Sequence, residues 1–202
     1  CVMAFNANDP SGAGGLSADI ATIASASAYA LPVVTGTYIR DTSEIRDHIA
    51  FDEDAVDEQA RCALEDMTVS AFKVGFLGSP DNISRVAEIA SDYPEVPLIT
   101  YLADLSWWDE LSMDTYLDAM TELLLPQTTV LVEEGDLTRL LPKLRMGELD
   151  LFVGRLEPGY ASPDLETEAL YDDPMVAVVH PGHPLAGLRK VPWADIAAQK
   201  LR

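Results

Sequence analysis

The stretch Asn8-Asp9-Pro10-Ser11-Gly12-Ala13-Gly14-Gly15-Leu16-Ser17-Ala18-Asp19 decides the fold. It follows a short apolar run, residues 2–5, that predicts a buried strand, and it leads into apolar residues at helical spacing. Its glycines allow positive φ and close approach of the backbone to a ligand. A glycine-rich turn between a strand and a helix presents free N–H groups that suit anions or polar heterocycle edges. The same turn can also be a plain tight connection, so it needs support from the rest of the chain.

That support comes from regular alternation of strand and helix patterns on the C-terminal side of the turn. Further strands are predicted at residues 31–39, 70–77, 97–102 and 128–132, with helices at 52–67, 83–93 and 113–125. Such alternation is typical of βαβ units with right-handed crossovers. We therefore predict an α/β fold: a three-layer, mostly parallel, Rossmann-like sheet with helices on both faces. Ligands of such sheets bind beyond the carboxyl ends of the strands.

Residues 2–132 carry a family resemblance. The carrying residues are the Asp9 turn, Thr35, the Asp41-Thr42 turn, Lys73-Val74-Gly75-Phe76-Leu77 and Leu124-Leu125-Pro126. These motifs resemble those of the hydroxymethylpyrimidine and phosphomethylpyrimidine kinases of thiamine biosynthesis, which have the ribokinase-like fold. The resemblance implies the substrate-binding residues Asp9, Gly12, Gly14, Asp19, Arg40, Lys73 and Phe76. It also implies ATP and Mg²⁺ as cofactors, provided that kinase function survives.

Several positions depart from the kinase pattern. Arg40 stands where the family has a glutamine that contacts the pyrimidine, and Phe76 replaces a methionine that lines it. The acidic residue expected after the fourth strand is missing, with Asp104 a few residues late. Residues 133–135 replace the family's Thr-Pro-Asn, and its late glycine-rich anion hole has no counterpart. Phosphoryl transfer depends on positioning and charge neutralisation by such parts. We therefore assign no catalytic residue and expect an inactive kinase.

The stretch 128–136 is where the chain changes character. Residues 128–132 predict a buried strand, Gly135 ends it, Asp136 is expected to cap a helix, and Gly147 to end that helix. Beyond it we predict a short buried strand at 149–154, a loop at 157–163, a strand at 175–179 and a helix start at 193–198.

Residues 133–202 resemble a second family. The carrying residues are Glu134-Gly135-Asp136, Leu140-Leu141, Gly147-Glu148-Leu149-Asp150-Leu151, Gly154-Arg155, His183-Pro184-Leu185-Ala186 and Trp193-Ala194-Asp195. They resemble the effector-binding domain of LysR-type transcriptional regulators. The resemblance implies a small effector as ligand, but the family's helix-turn-helix and much of its effector domain have no counterpart here.

These two resemblances predict a kinase-like fragment, 1–132, and a LysR-like fragment, 133–202, joined at a strand and forming either two domains or one continuous hybrid domain. Our main interpretation is a chimera, engineered or fused, without intact native catalysis. One alternative is a divergent ATP-dependent hydroxymethylpyrimidine kinase, and another is a small-effector-binding module. The key observation is whether strand 128–132 lies beside strand 149–153 in one sheet.

Composition limits the remaining choices. The net charge of −21 repels phosphate backbones and anionic lipids, so direct nucleic-acid or membrane binding is not expected. The two cysteines have no metal-ligand spacing and favour a reducing cytoplasm. His180 and His183 lie three residues apart on a predicted loop, a metal site would need a further ligand, and the LysR resemblance accounts for His183-Pro184 without a metal, so no metal site is assigned. Both resemblances imply a homodimer.

Overall fold

The computed structural model describes residues 1–155, 164–170, 179–186, 188 and 190–192. The strands are β1 Val2–Asn8, β2 Ala30–Arg40, β3 Ile45–Ala50, β4 Ala71–Val74, β5 Leu98–Leu102 and β6 Val130–Glu133. The helices are α1 Gly15–Ser25, α2 Glu53–Asp66, α3 Pro80–Asp92, α4 Glu110–Ala119 and α5 Leu137–Met146. The strands form one sheet in the order β3-β2-β1-β4-β5-β6. All neighbouring strands are parallel except β2 and β3, so the predicted α/β class is confirmed.

The centre of the sheet is β1, which is buried from Met3 to Ala7. A continuous apolar run suits this position because helices cover both faces of a parallel sheet. Helix α1 packs on β1 and β2, whereas α2, α3 and α4 form one packed group. From β1 the chain moves to β2 on one side of the sheet, and from β4 to β5 on the other. Right-handed crossovers in opposite directions place α1 and α3 on opposite faces.

The helix ends follow capping chemistry. Asp52, Ser79 and Asp109 each accept a backbone N–H at the start of α2, α3 and α4. Asp136 does the same for α5, and Gly147 ends α5 with φ of 75°. Both predictions at α5 are therefore confirmed, since a short polar acceptor and a residue free of a Cβ are what these two positions require.

The predicted helix at 113–125 differs in its bounds and in its winding. It begins earlier, at Glu110, and its last part is a π-helical segment, Met120–Leu124, followed by a 3₁₀ turn, Leu125–Gln127. Pro126 lies in that turn. A proline has no N–H to donate and its ring crowds the preceding turn, so Pro126 disfavours regular α-helical winding at this point.

Strand β3 was not predicted from the sequence. It pairs antiparallel with β2 at the edge of the sheet, with Thr37 opposite Ile49 and Tyr38 opposite His48. Its central residues, Arg46 and Asp47, are exposed. An edge strand that is solvated on one side needs few apolar residues, which is why its sequence gives a weak strand signal.

Strand β6 forms where it was predicted, but the prediction that it is buried is wrong. Val130, Leu131 and Val132 are 49%, 47% and 41% exposed. The strand lies at the outer edge of the sheet and pairs with β5 alone. Because neighbouring residues of a strand point to opposite faces, this exposure means that neither face of β6 is fully covered.

The strand predicted at 149–154 is also wrong, because those residues are irregular, and Leu151 and Val153 are 76% and 68% exposed. A strand needs a partner, and β6 has no second neighbour among the described residues. The expected pairing of 128–132 with 149–153 is therefore absent from this part of the chain. The loop at 157–163, residues 175–178 of the predicted strand and the helix start at 193–198 lie outside the described residues.

The chain divides into two compact units, Cys1–Phe152 and Val153–Arg202. The first unit contains the whole sheet and α1 to α5. In the second, the described residues around His183 form consecutive turns, in which His183 donates its N–H to the carbonyl of His180 and Ala186 donates to that of His183. None of the helices in the described ranges has the length and apolarity needed to cross a bilayer.

Candidate functional site

The glycine-rich turn is organised around Asp9, which follows β1 and is 2% exposed. Its Oδ1 accepts hydrogen bonds from Ser11 N at 2.8 Å and from Ser11 Oγ at 2.6 Å. Its carbonyl oxygen accepts from Gly12 N at 3.1 Å. A short acceptor that bonds to the backbone two residues on is a common way to hold a turn. Asp9 therefore fixes the shape of the loop from inside.

Gly15 meets a strict steric requirement at the start of α1. It has φ of 57°, and an added Cβ would lie 2.5 Å from the carbonyl oxygen of Ala7. At Gly14 the same addition would lie 3.4 Å from Asp9 Oδ2, which is ordinary contact. The sequence therefore needs glycine at Gly15 for both conformation and space.

Arg40, the last residue of β2, reaches the glycine-rich turn. Its Nη1 donates to Asp9 Oδ2 at 3.3 Å, and its Nε donates to the carbonyl of Asp41 at 2.9 Å. The side chain of Asp9 is fully buried and that of Arg40 is 16% exposed. Because β1 and β2 are neighbours in the sheet, their carboxyl ends bring these two opposite charges together. The pair compensates a carboxylate that would otherwise be buried alone.

A second polar cluster joins β1, α1 and β4. Lys73 Nζ on β4 donates to Asp19 Oδ2 at 2.8 Å, and Asn6 Nδ2 on β1 donates to the same oxygen at 2.8 Å. Asn6 Oδ1 accepts from the backbone N–H of Phe76 at 3.0 Å. At Gly75 a Cβ would collide with the Asn6 amide, so the two residues are matched in shape.

Asn6 was missed in the sequence analysis. It is 5% exposed and lies in the most buried strand of the sheet. The available signal was an amide between the apolar residues Phe5 and Ala7 of β1, because a buried polar side chain is almost always hydrogen-bonded.

Phe76 lies buried in a cluster of aromatic rings rather than at an exposed surface. The cluster contains Tyr38, His48, Phe76, Trp107, Trp108 and Tyr116. Phe76 is 1% exposed and stacks on Tyr38 with ring centroids 5.3 Å apart. Burial raises the pKa of both Tyr38 and Tyr116 above the ordinary tyrosine range. Trp107 and Trp108 both make edge-to-face ring contacts with Phe76 and His48.

Little free space remains beside these rings. The cavity at the ends of β4 and β5 measures about 10 Å³ and is lined by Gly75, Phe76, Tyr101, Leu102, Ala103, Leu105, Tyr116 and Met120. That volume is about one water molecule. This cavity is therefore too small for a ring-sized ligand.

Two further carboxylates, those of Asp104 and Glu134, lie just beyond the ends of β5 and β6. The Tyr101 hydroxyl donates to Glu134 Oε2, and Lys73 Nζ lies 5.5 Å from the centre of the Tyr101 ring. Burial, followed by the Glu134 hydrogen bond, raises the pKa of Tyr101 to about 12. Asp104, the late acidic residue of the sequence analysis, accepts from the N–H and hydroxyl of Ser106. Both carboxylates therefore already have protein partners.

The structure thus brings the predicted residues together in two networks at the carboxyl ends of β1, β2 and β4. Asp9, Arg40 and the turn with Gly12 and Gly14 form one network; Asp19 and Lys73 form the other, which reaches the Phe76 backbone through Asn6. Substrate binding by these residues stays a prediction. Among the described residues, no group of three or more His, Cys, Asp or Glu side chains can hold a metal ion.

Comparison with known proteins assigns the fold and these motifs to a family. The family model for phosphomethylpyrimidine kinase matches residues 9–142, from the glycine-rich turn into α5. The chain belongs to the phosphomethylpyrimidine kinase family. The family model for the LysR substrate binding domain matches residues 121–201. The two matches overlap at residues 121–142, and the predicted junction at 132/133 lies within that overlap.

Curated relatives of this kinase family cover the same region. The chain is 31% identical over 98 residues to the thiamine biosynthesis multifunctional protein ThiED of Corynebacterium efficiens, covering 48% of the chain and 13% of that protein. It is 28% identical over 125 residues to the hydroxymethylpyrimidine/phosphomethylpyrimidine kinase of Escherichia coli, covering 61% and 47%. It is 29% identical over 142 residues to the kinase of the same name in Mycobacterium bovis, covering 69% and 52%. The chain therefore spans about half the length of these two kinases.

Solved structures support the same fold. Phosphomethylpyrimidine kinase from Clostridium difficile aligns with a TM-score of 0.61 and 18% identity, covering 73% of this chain and 70% of that one. Pyridoxal kinase from Staphylococcus aureus, in complex with AMP-PCP and pyridoxal, aligns with a TM-score of 0.56 and 22% identity, covering 65% and 47%. At these identities the likeness concerns the fold alone. The predicted ribokinase-like architecture is thereby confirmed.

Proposed function

We propose that the first compact unit binds a small hydroxymethyl-bearing pyrimidine at the carboxyl ends of β1, β2 and β4. The observation that carries this proposal is the buried Asp9 that shapes the glycine-rich turn and pairs with Arg40 at 3.3 Å. Such a turn offers backbone N–H groups to a ligand at the edge where parallel sheets bind ligands. The names of the curated kinase relatives give the ligand class.

The second network, formed by Asn6, Asp19 and Lys73, offers such a ligand polar side chains in fixed positions. Lys73 is held by Asp19, and Asp19 is held in turn by Asn6. Side chains with their rotamers fixed by partners lose little freedom on binding, which favours affinity. In this proposal the hydroxymethyl group of the pyrimidine lies between the glycine-rich turn and the Lys73 side chain.

Catalysis would require more than pyrimidine binding, because the family resemblance implies ATP and Mg²⁺ as cofactors. Mg²⁺ in phosphotransferases is held by one or two carboxylates together with substrate phosphates. At the ends of β5 and β6, Asp104 accepts from Ser106 and Glu134 from Tyr101, and the acidic residue that the family has after the fourth strand has no counterpart at the same position. We therefore derive no phosphoryl-transfer step from the described residues. Our proposal is a pyrimidine-binding hybrid without intact kinase catalysis.

The predicted junction at 132/133 lies inside β6, one residue before the end of the strand. Glu133, the last residue of β6, accepts from Lys143 Nζ and from Arg139 Nη2 on α5, each at 2.8 Å. These ion pairs lie within the LysR-like part, and β6 carries Glu133 into the sheet of the first compact unit. A cytoplasmic location is part of the proposal, because Cys1 and Cys62 are free thiols.

Isothermal titration calorimetry tests the binding proposal. Hydroxymethylpyrimidine, and an analogue with an oxo group in place of the amino group next to the hydroxymethyl group, are each titrated into the full chain. We expect saturable heat with at least one ring. Asp9→Asn should abolish it, because it removes the charge that holds Arg40 and the turn, whereas exposed Asp66→Asn should not change it. No heat with either ring would contradict the proposal.

A coupled assay of ADP release tests the catalytic part. We expect no increase in ATP consumption when hydroxymethylpyrimidine and Mg²⁺ are added to the full chain. Turnover that depends on the pyrimidine would contradict the reading of an inactive hybrid and would favour the divergent kinase. That result would leave the binding proposal intact.

A further inference from the structure

We infer that Arg40 sets the ligand specificity of this site, so that a ring with an oxo acceptor next to its hydroxymethyl group binds more tightly than the corresponding amino ring. The inference rests on the proposed binding of a pyrimidine and deepens it. It follows from the donors and acceptors that remain available at the carboxyl ends of β1 and β2.

Arg40 is a pure donor at the end of the sheet where the pyrimidine is proposed to bind. Its Nε is used by the carbonyl of Asp41 and one Nη1 hydrogen by Asp9. Its Nη2 has no hydrogen-bond partner within residues 1–155 or the other described ranges. A guanidinium is charged at all physiological pH values and cannot accept a hydrogen bond.

The acceptor beside Arg40, the Asp9 carboxylate, is fully buried and accepts hydrogen bonds within the protein on both oxygens. Asp9 Oδ1 accepts twice from Ser11, and Oδ2 accepts from Arg40. An amino group facing this edge would therefore meet mainly N–H donors. A buried donor without an acceptor is costly, whereas an oxo group would accept the free Nη2 hydrogens.

Charge does not override this preference. Asp9 compensates Arg40, and Asp19 compensates Lys73 at 2.8 Å. The two networks are together close to neutral, so the preferred ligand is a neutral ring read by hydrogen bonds rather than an anion held by net positive charge. Specificity then follows from the donor pattern of Arg40.

The test compares the matched amino and oxo rings on the full chain by calorimetry. A hydrogen bond to a charged donor supports a preference of at least about tenfold in Kd for the oxo ring. Arg40→Gln should reduce the preference severalfold or reverse it, because an amide both donates and accepts. Arg46→Gln on β3 is the matched control, since Arg46 is 63% exposed and should leave the preference unchanged.

The outcomes separate this inference from the proposed function. If neither ring binds the native chain, both the proposed function and this inference fail. If the amino ring binds as tightly as the oxo ring or more tightly, the inference is overturned while pyrimidine binding stands. The native chain alone gives this comparison, so a folding defect in Arg40→Gln does not affect it. An Arg40→Gln chain that folds, binds and keeps the full oxo preference also overturns the inference.

Discussion

Replacing Asn6 with alanine should strongly destabilise the first compact unit. Asn6 Oδ1 accepts from Phe76 N at 3.0 Å and its Nδ2 donates to Asp19 Oδ2 at 2.8 Å. Phe76 is 1% exposed, so water cannot replace the lost acceptor. An unsatisfied buried N–H costs about 1–3 kcal/mol, and a lost hydrogen bond to a charged group adds to this. We expect a total loss of about 2–4 kcal/mol.

Asn8→Ala is the matched control for this experiment. Asn8 lies two residues further along β1 and is exposed, with its amide 3.2 Å from Thr37 Oγ1. Its replacement should change the free energy of unfolding by less than about 0.5 kcal/mol. Urea denaturation followed by circular dichroism measures both variants, with the m-value as a check on two-state behaviour. Equal, small effects for Asn6→Ala and Asn8→Ala would refute the assignment of Asn6 as a buried connector between β1 and β4.

Three further changes have expected outcomes. Gly15→Ala should cost more than Gly147→Ala in urea denaturation, because both have positive φ but only Gly15 lacks space for a Cβ; equal costs would contradict the steric argument. Glu133→Gln should lower stability by about 1 kcal/mol at neutral pH. The hydrogen bond from Lys143 holds the pKa of Glu133 below its ordinary value, so this stabilisation is present above the unfolded pKa and is lost as pH falls through the folded pKa. The difference between native chain and variant should then shrink on acidification, and a constant difference would exclude the charge effect. Tyr101→Phe should leave the ultraviolet titration of phenolate unchanged below about pH 11, because the pKa of Tyr101 is about 12.

The glycine-rich turn and the caps of α5 could be predicted because their causes are local in sequence. Asp9 and Gly15 act on atoms within a few residues, and Asp136 and Gly147 act on the ends of one helix. The role of Asn6 could not be predicted in the same way. Asn6 Oδ1 accepts a hydrogen bond from the backbone N–H of Phe76, seventy residues away in sequence. No local sequence pattern identifies that partner.

The errors in the strand predictions have a related cause. A short apolar run is necessary for a buried strand but does not supply the neighbour that buries it. Residues 149–154 have such a run without a paired strand beside them in the described part of the chain, so Leu151 stays exposed. Strand β3 shows the opposite case, because a polar sequence forms a strand where β2 offers a free edge.

The position of β6 explains how two family patterns can meet there without disrupting the core. The main cluster of buried apolar residues runs from Met3 to Leu124 and contains no residue of β6 or α5. Strand β6 adds only its pairing with β5, from Ile99 opposite Val130 to Leu102 opposite Glu133. The cap and ion pairs that form the following helix are local to residues 133–147. Because the junction lies at the sheet edge and its interactions are local, a change of sequence pattern at this point leaves the packing of the kinase-like core intact. The proposed ligand site lies at β1, β2 and β4, none of which is a neighbour of β6 in the sheet.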